Sequence, residues 1–165
     1  MIACIDVHYY DDHAVAACIL FENWTDSMPA ACYHTTITNI SPYIPGRFYL
    51  RELPCILKVL EYVDQYIEVI LIDGYVWLDN RRSPGLGAYL FYKLKEKTPV
   101  IGIAKNQYKG SEAAEKIIRG RSKNPLYVTA VGMDQSLAAS LIAKMHGKFR
   151  IPTLLKKADQ ISKNV

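Results

Sequence analysis

The apolar residues at the start of the chain fall into three blocks. "MIACIDVHYY" (residues 1–10) reads as a strand buried for much of its length. "HAVAACILFE" and "ACYHTTITNI" follow, rich in small and β-branched residues, with an "NWTDSMP" turn between them. Three strands on short turns predict an antiparallel meander. The period then changes. Leu53, Ile56, Leu57 and Leu60 recur at i, i+3, i+4 and i+7, which is one apolar face of a helix. Pro54 fits the first turn of that helix, so Glu52 lies at its entrance. "YIEVILIDG" is an apolar strand ending in Asp73, and "SPGLGAYLFYKLKEK" reads as a helix. "TPVIGIAK" is a buried strand ending in Lys105, and "NPLYVTAVG" is a further strand. "MDQSLAASLIAKMHG" reads as a helix with Gly147 as its C-cap. Pro152 precedes a last amphipathic helix, "PTLLKKADQISK".

This order implies an α/β fold with a mixed sheet, antiparallel on one side and parallel on the other, and helices packed against it. It is the element order of an RNase H-like fold, parts of which other α/β folds share. At 165 residues the length fits one domain, 1–165, with a proper core. Half the residues are apolar and 22% charged, a globular balance. Apolar runs are short, such as "VILI" at 69–72, and none approaches a membrane span. "MIACIDV" lacks the layout of a signal peptide, so the cytoplasm is the expected compartment. Cys4, Cys18, Cys32 and Cys55 form no C-x-x-C pair, which argues against a structural zinc site and for small buried residues in strands.

Charge sharpens the picture. The net value is only +4, but residues 1–80 hold 3 Lys/Arg against 11 Asp/Glu, and residues 81–165 hold 17 against 5. An acidic half followed by a basic half suits a cation-binding centre beside a polyanion-binding surface, or ordinary solvated charge. The acids that matter are the misplaced ones. Asp6 interrupts the apolar "ACIDV", and Asp73 ends "VILID". A charge there is costly unless it is paired, hydrogen-bonded or metal-bound. Taken singly, each acid reads as a strand-end cap or salt-bridge partner. With Glu52 they form an oxygen-donor trio suited to Mg²⁺ and to phosphoryl chemistry. Lys105 repeats the placement with opposite sign, to hold a phosphate or the attacking water, or to snorkel from a strand end. Gly102, two residues inside the same strand as Ala104, permits a close backbone approach.

The stretch "SPYIPGRFYLRE" (41–52) is a stiff loop, with prolines on both sides of Tyr43 and Ile44 and a glycine behind them. With "IDVHY", "PYIPGRFYLRELP", "ILIDGYVW", "GLGAYL", "PVIGIAK" and "RIPTLLKKADQIS", the chain resembles the endonuclease V family nearly end to end. "PYIPG" with the correctly spaced "RE" is the most specific part of the match. The resemblance implies an RNase H-like fold and metal ligands at Asp6, Glu52 and Asp73, for Mg²⁺ with Mn²⁺ as the alternative. It implies that Lys105 is the active-site lysine. It makes Pro42, Tyr43, Ile44 and Pro45 a wedge that parts a deaminated base from its neighbours, at an unstacking cost of a few kcal/mol. Gly46 and Phe48 then edge the pocket for the flipped base, with Gly74 and Gly102 nearby. The implied reaction is hydrolysis of the second phosphodiester 3′ to hypoxanthine, leaving 3′-hydroxyl and 5′-phosphate, and the implied partner is DNA or RNA. Two positions depart from the pattern. Asp79 stands where the family has histidine, and Gly132-Met133-Asp134 replaces glycine-histidine. Asp79 and Asp134 are therefore candidate substitute ligands or water-orienting groups, and Asp134 is equally a helix N-cap.

Weaker constellations remain. His8 and His13 flank "YYDD" and read as surface histidines near a turn, or as a strand-pair metal site. Tyr89, Tyr92 and Tyr108 lie among lysines, a pattern for stacking on single strands or for a helix that solvates its charges. Arg119, Arg121 and Lys123 suit a phosphate backbone or an exposed loop. The leading reading is a Mg²⁺-dependent nuclease acting beside a deaminated base. The alternatives are a nucleic-acid-binding relative without turnover, and a nuclease of the same fold with another lesion or structural target.

Overall fold

The computed structural model describes residues 1–164. Three strands open the chain: β1 (Ile2–Tyr9), β2 (Ala14–Phe21) and β3 (Ala31–Ile37). They form the expected antiparallel meander, with Asp6 opposite Ala17. Helix α1 (Tyr49–Leu60) crosses to β4 (Val69–Asp73), and α2 (Leu86–Lys93) to β5 (Val100–Ala104). Such crossovers let strands run parallel. β4 indeed runs parallel to β1, and β5 parallel to β4.

The far side of the sheet differs from expectation. β6 (Glu115–Ile117) is a short strand that the apolar pattern does not mark, and β7 (Leu126–Val131) runs antiparallel to both β6 and β5. The connection from β5 to β7 holds β6 and loop but no helix to carry the chain back across a face of the sheet, as a parallel neighbour usually has. The seven strands lie in the order β3-β2-β1-β4-β5-β7-β6. Helices α3 (Gln135–Lys144) and α4 (Thr153–Lys163) complete the chain. The mixed sheet with helices on both faces is the expected RNase H-like architecture.

Residues alternate between the two faces of each strand. Ala3, Ile5, Ile70 and Ile72 pack with α1 and α2. Ile2, Cys4, Leu71, Ile101 and Ile103 pack with α3 and α4. α1 starts earlier than predicted, so Pro54 lies inside the helix and Glu52 in its first turn. Pro54 offers no N–H to the Leu50 carbonyl, but Leu50 is exposed and water can serve it. α2 is shorter than its apolar pattern, because Lys97 Nζ bonds the carbonyls of Phe91, Tyr92 and Leu94 and closes its end. The cap of α3 is Met145, and Gly147 makes the following turn at φ +118°. Cys4, Cys18 and Cys55 are buried, Cys55 in a helix rather than a strand, and Cys32 is exposed. No helix among the described residues is long and apolar enough to cross a membrane.

Candidate active site

The alternation that buries Cys4 on the α4 side of the sheet carries Asp6 to the same side. Leu71 does the same for Asp73, and Ile103 for Lys105. Because β1, β4 and β5 are mutually parallel, these three side chains meet at one carboxyl edge, where open α/β sheets gather ligands. All three line one cavity of about 530 Å³. Glu52 arrives from the opposite face, in the first turn of α1.

The charges at this edge act on one another. Lys105 Nζ donates to Asp73 Oδ2 at 2.6 Å. Ser162 Oγ, from α4, donates to Asp6 Oδ2 at 2.6 Å. Burial, with the charges of Asp73 and Asp6, pushes the Glu52 carboxyl up to about 8. Burial also raises Asp6; Ser162 opposes the rise, and Asp73 and Asp159 add to it. Burial pulls the Lys105 ammonium down, but Asp73, Asp6 and Asp159 outweigh it and hold the group above its ordinary value. Asp159 is paired with Lys163, one turn on along α4, at 2.7 Å.

This is an oxygen-rich set whose negative charge exceeds what Lys105 balances. Such donors suit a hard divalent cation. Among the described residues no three His, Cys, Asp or Glu side chains already stand in ligating geometry. On Asp73 the Lys105 ammonium takes the position a cation would contest.

The loop ahead of α1 is built as a turn. Arg47 N donates to the Ile44 carbonyl at 2.9 Å, and Gly46 has φ +76°. Proline second and glycine third is the type II arrangement, and only glycine takes that φ without strain. The turn thrusts its apolar residues outward, with Tyr43 62% and Ile44 42% exposed. Behind it, Gly46, Phe48, Leu78, Pro84 and Tyr89 line a cavity of about 450 Å³ on the α1–α2 side. Tyr49 stacks on Tyr89 at 3.9 Å and props the wall. Gly74, at the end of β4, takes φ +133° with open space above its Cα. Gly102 is different. A Cβ there would stand 2.5 Å from the Gly74 carbonyl oxygen and 2.9 Å from Val76 N. Its work is to let the 74–76 backbone pass, one layer beneath any pocket.

Asp79 and Asp134 do not join the carboxylate cluster. Asp79 accepts from Arg81 N, Ser83 N and Ser83 Oγ at 2.9, 3.0 and 2.6 Å. Asp134 accepts from Leu137 N at 2.8 Å, as an N-cap of α3 does. Both face a separate cavity of about 280 Å³.

Arg119 is structural rather than a phosphate contact. It is 6% exposed and donates to the carbonyls of Ala143, Met145, Gly147, Phe149 and Arg150, closing the end of α3. His13 pairs with Asp12 and stacks on Tyr10, with His8 edge-on to the same tyrosine, a surface aromatic group. Asp159 and Ser162 are the site residues that sequence patterns miss. Ser162 sits on the buried stripe of an amphipathic helix and Asp159 at its margin, and the one signal for them is a polar pair beside Ala158 and Ile161.

Comparison with known proteins agrees with the fold. The family model described as Endonuclease V matches residues 1–130. Endonuclease V of Xanthomonas oryzae pv. oryzae is 28% identical over an alignment 186 positions long, gaps included, covering 98% of this chain and 76% of its own. The crystal structure of endonuclease V from Streptomyces avermitilis superposes with TM-score 0.76 at 25% identity, covering 98% of this chain and 79% of that one. A Ciona intestinalis endonuclease V, in complex with a 24mer DNA containing an inosine followed by a ribo-adenosine, superposes with TM-score 0.77 at 20% identity, covering 98% and 84%.

Proposed function

The chain belongs to the endonuclease V family, and we propose that it is a Mg²⁺-dependent endonuclease hydrolysing the second phosphodiester 3′ to a deaminated base, hypoxanthine foremost, in DNA or RNA. The observation that carries this reading is the convergence of Asp6, Asp73 and Lys105 at one sheet edge, with Glu52 near enough for the charges of Asp73 and Asp6 to raise its carboxyl. The inosine-containing DNA bound by the similar Ciona protein supports the choice of lesion.

Asp6, Glu52 and Asp73 would hold the cation, Mg²⁺ or Mn²⁺. When bound, it supplies a water of lowered pKa and steadies charge on the leaving oxygen. Glu52, raised to about 8 by burial and its acidic neighbours, must give up its proton to join. Lys105, which donates to Asp73 in this structure, would hold a non-bridging oxygen of the scissile phosphate. Water oxygen bonds to phosphorus as the P–O3′ bond breaks, leaving 3′-hydroxyl and 5′-phosphate. Tyr43 and Ile44, held out by the type II turn, enter the base stack as the wedge. The cavity edged by Gly46 and Phe48 takes the base they displace. Asp134 caps α3 and Asp79 ties its loop; neither is required as a ligand.

The test is a titration of Mg²⁺ and of Mn²⁺ with end-labelled strands carrying one inosine, in DNA and in RNA, beside strands carrying guanosine. The expected result is metal-dependent cutting at a single site 3′ of inosine. Binding without cutting at any metal concentration would sink the endonuclease reading.

A further inference from the structure

The cavity of about 530 Å³ extends well beyond the charged edge. Its interior is apolar: Cys4, Leu71, Ile103 and Leu126 from the sheet, with Ile151 and Leu155 facing them from the α4 side. Phosphate chemistry needs none of this surface. At its mouth stands Phe149, 65% exposed. Arg121 and Lys156, both exposed, flank the same opening, and neither is in an ion pair among the described residues. Arg150 donates to the carbonyls of Lys105 and Pro125 and ties the lysine's strand end to the 118–125 loop, so the wall is braced.

An apolar slot with an aromatic at its mouth, cations at its rim and a phosphate-handling edge at one end matches the chemistry of a nucleotide. The two cavities lie on opposite faces of the sheet, one on the α1–α2 side and one on the α4 side, with Asp6 and Asp73 at the edge between them. A strand that leaves its displaced base on the first side and its scissile phosphate at the edge delivers its next nucleotide to the second. We propose that the α4-side cavity is a second base subsite, which takes the nucleobase of the nucleotide 3′ of the scissile phosphate. This rests on the endonuclease reading above. After cleavage the subsite would hold the first base of the downstream product, with its new 5′-phosphate beside Lys105. Phe149 stacks on that base, and Arg121 and Lys156 meet the following phosphates.

The test uses product-like probes, so that no turnover is required. Three fluorescent trinucleotides are titrated with the full chain in Mg²⁺ buffer: one 5′-phosphorylated, one 5′-phosphorylated with its first residue abasic, and one with a 5′-hydroxyl. Loss of the first base should weaken binding roughly tenfold or more, the range of a stacked base. Leu155→Trp fills the cavity and should erase the difference between the base-bearing and abasic probes. Phe149→Ala, at an exposed position, should reduce that difference without unfolding the protein. Equal affinity of the base-bearing and abasic probes for the unaltered chain would overturn the subsite. Failure of the endonuclease reading looks different: inosine strands stay intact while the preference for a first base persists.

Discussion

Asp73 and Asp79 lie on one short stretch of chain, yet their surroundings differ in kind. Asp79 takes three hydrogen bonds from its own loop, which hold its carboxyl below the ordinary value. Asp73 takes a single bond, from a lysine 32 residues away, and raises the carboxyls of Asp6 and Glu52 by its charge. Local partners spend a carboxylate: it is satisfied, and a cation gains little by binding it. At the sheet edge the fold forces acids together that would separate if free. A divalent cation relieves that repulsion, so the edge keeps affinity in reserve and the loop keeps none.

The largest effect should come from Asp73→Asn, which leaves the shape and removes the charge. Loss of cation and phosphate stabilisation worth several kcal/mol corresponds to a roughly thousandfold fall in cutting rate. Binding of an inosine strand, measured at the same fixed salt, should change little. Asp79→Asn is the control from the other region and should cut at close to the normal rate. Comparable losses in the two variants would erase the distinction.

Glu52 tests the repulsion itself, in metal-free protein. Its folded value of about 8 lies above the ordinary 4.5, so the folded state binds the extra proton between those limits. The Glu52 contribution to stability is therefore fully present below about 4.5 and is lost as pH rises through about 8. The full shift amounts to a few kcal/mol. Thermal melting should show this fall, Glu52→Gln should flatten it, and saturating Mg²⁺ should reverse it above pH 8. A flat melting profile for the unaltered protein would mean that Glu52 is not under charge stress.

What the chain discloses in advance follows the same division. Asp6 and Asp73 stand out because each is a lone acid in an apolar strand, and alternation then fixes the face they share. The type II turn is legible from Pro45-Gly46 alone. Asp159 and Ser162 are not, because a polar residue on a helix means little until the helix is docked. Periodicity marks β7 but not its direction, and the expected parallel pairing gives way to an antiparallel one with β5. Arg119 reads as surface charge because nothing in "RGRSK" says that the end of α3 folds over it. Local chemistry is visible in the sequence; partnership across the fold is visible only in the coordinates.

A smaller effect belongs to the wedge. Tyr43→Ala truncates a side chain that is 62% exposed, so stability should hold within about 0.5 kcal/mol. Discrimination between inosine and guanosine strands should fall about tenfold, the value of one lost stacking contact. An equal loss on both strands would reduce the loop to a general contact surface.

The smallest expected effect is at Asp134, and it sharpens the comparison most. The residue stands beside Met133, where the family pattern has histidine, so a ligand role has to be weighed. Its Oδ1, however, accepts the Leu137 N–H at 2.8 Å, and its backbone is extended as an N-cap requires. A carboxylate turned onto its own helix amides is turned away from the edge. Asp134→Ala should cost about 1 kcal/mol of stability, the usual value of a lost cap. Asp134→Asn keeps the acceptor and should cost a few tenths at most. In both variants the Mg²⁺ concentration for half-maximal cutting should stay where it is. A rise in that concentration for Asp134→Asn, at unchanged melting temperature, would move Asp134 from the locally satisfied set to the cluster and show that a single hydrogen bond to its own helix does not spend a carboxylate.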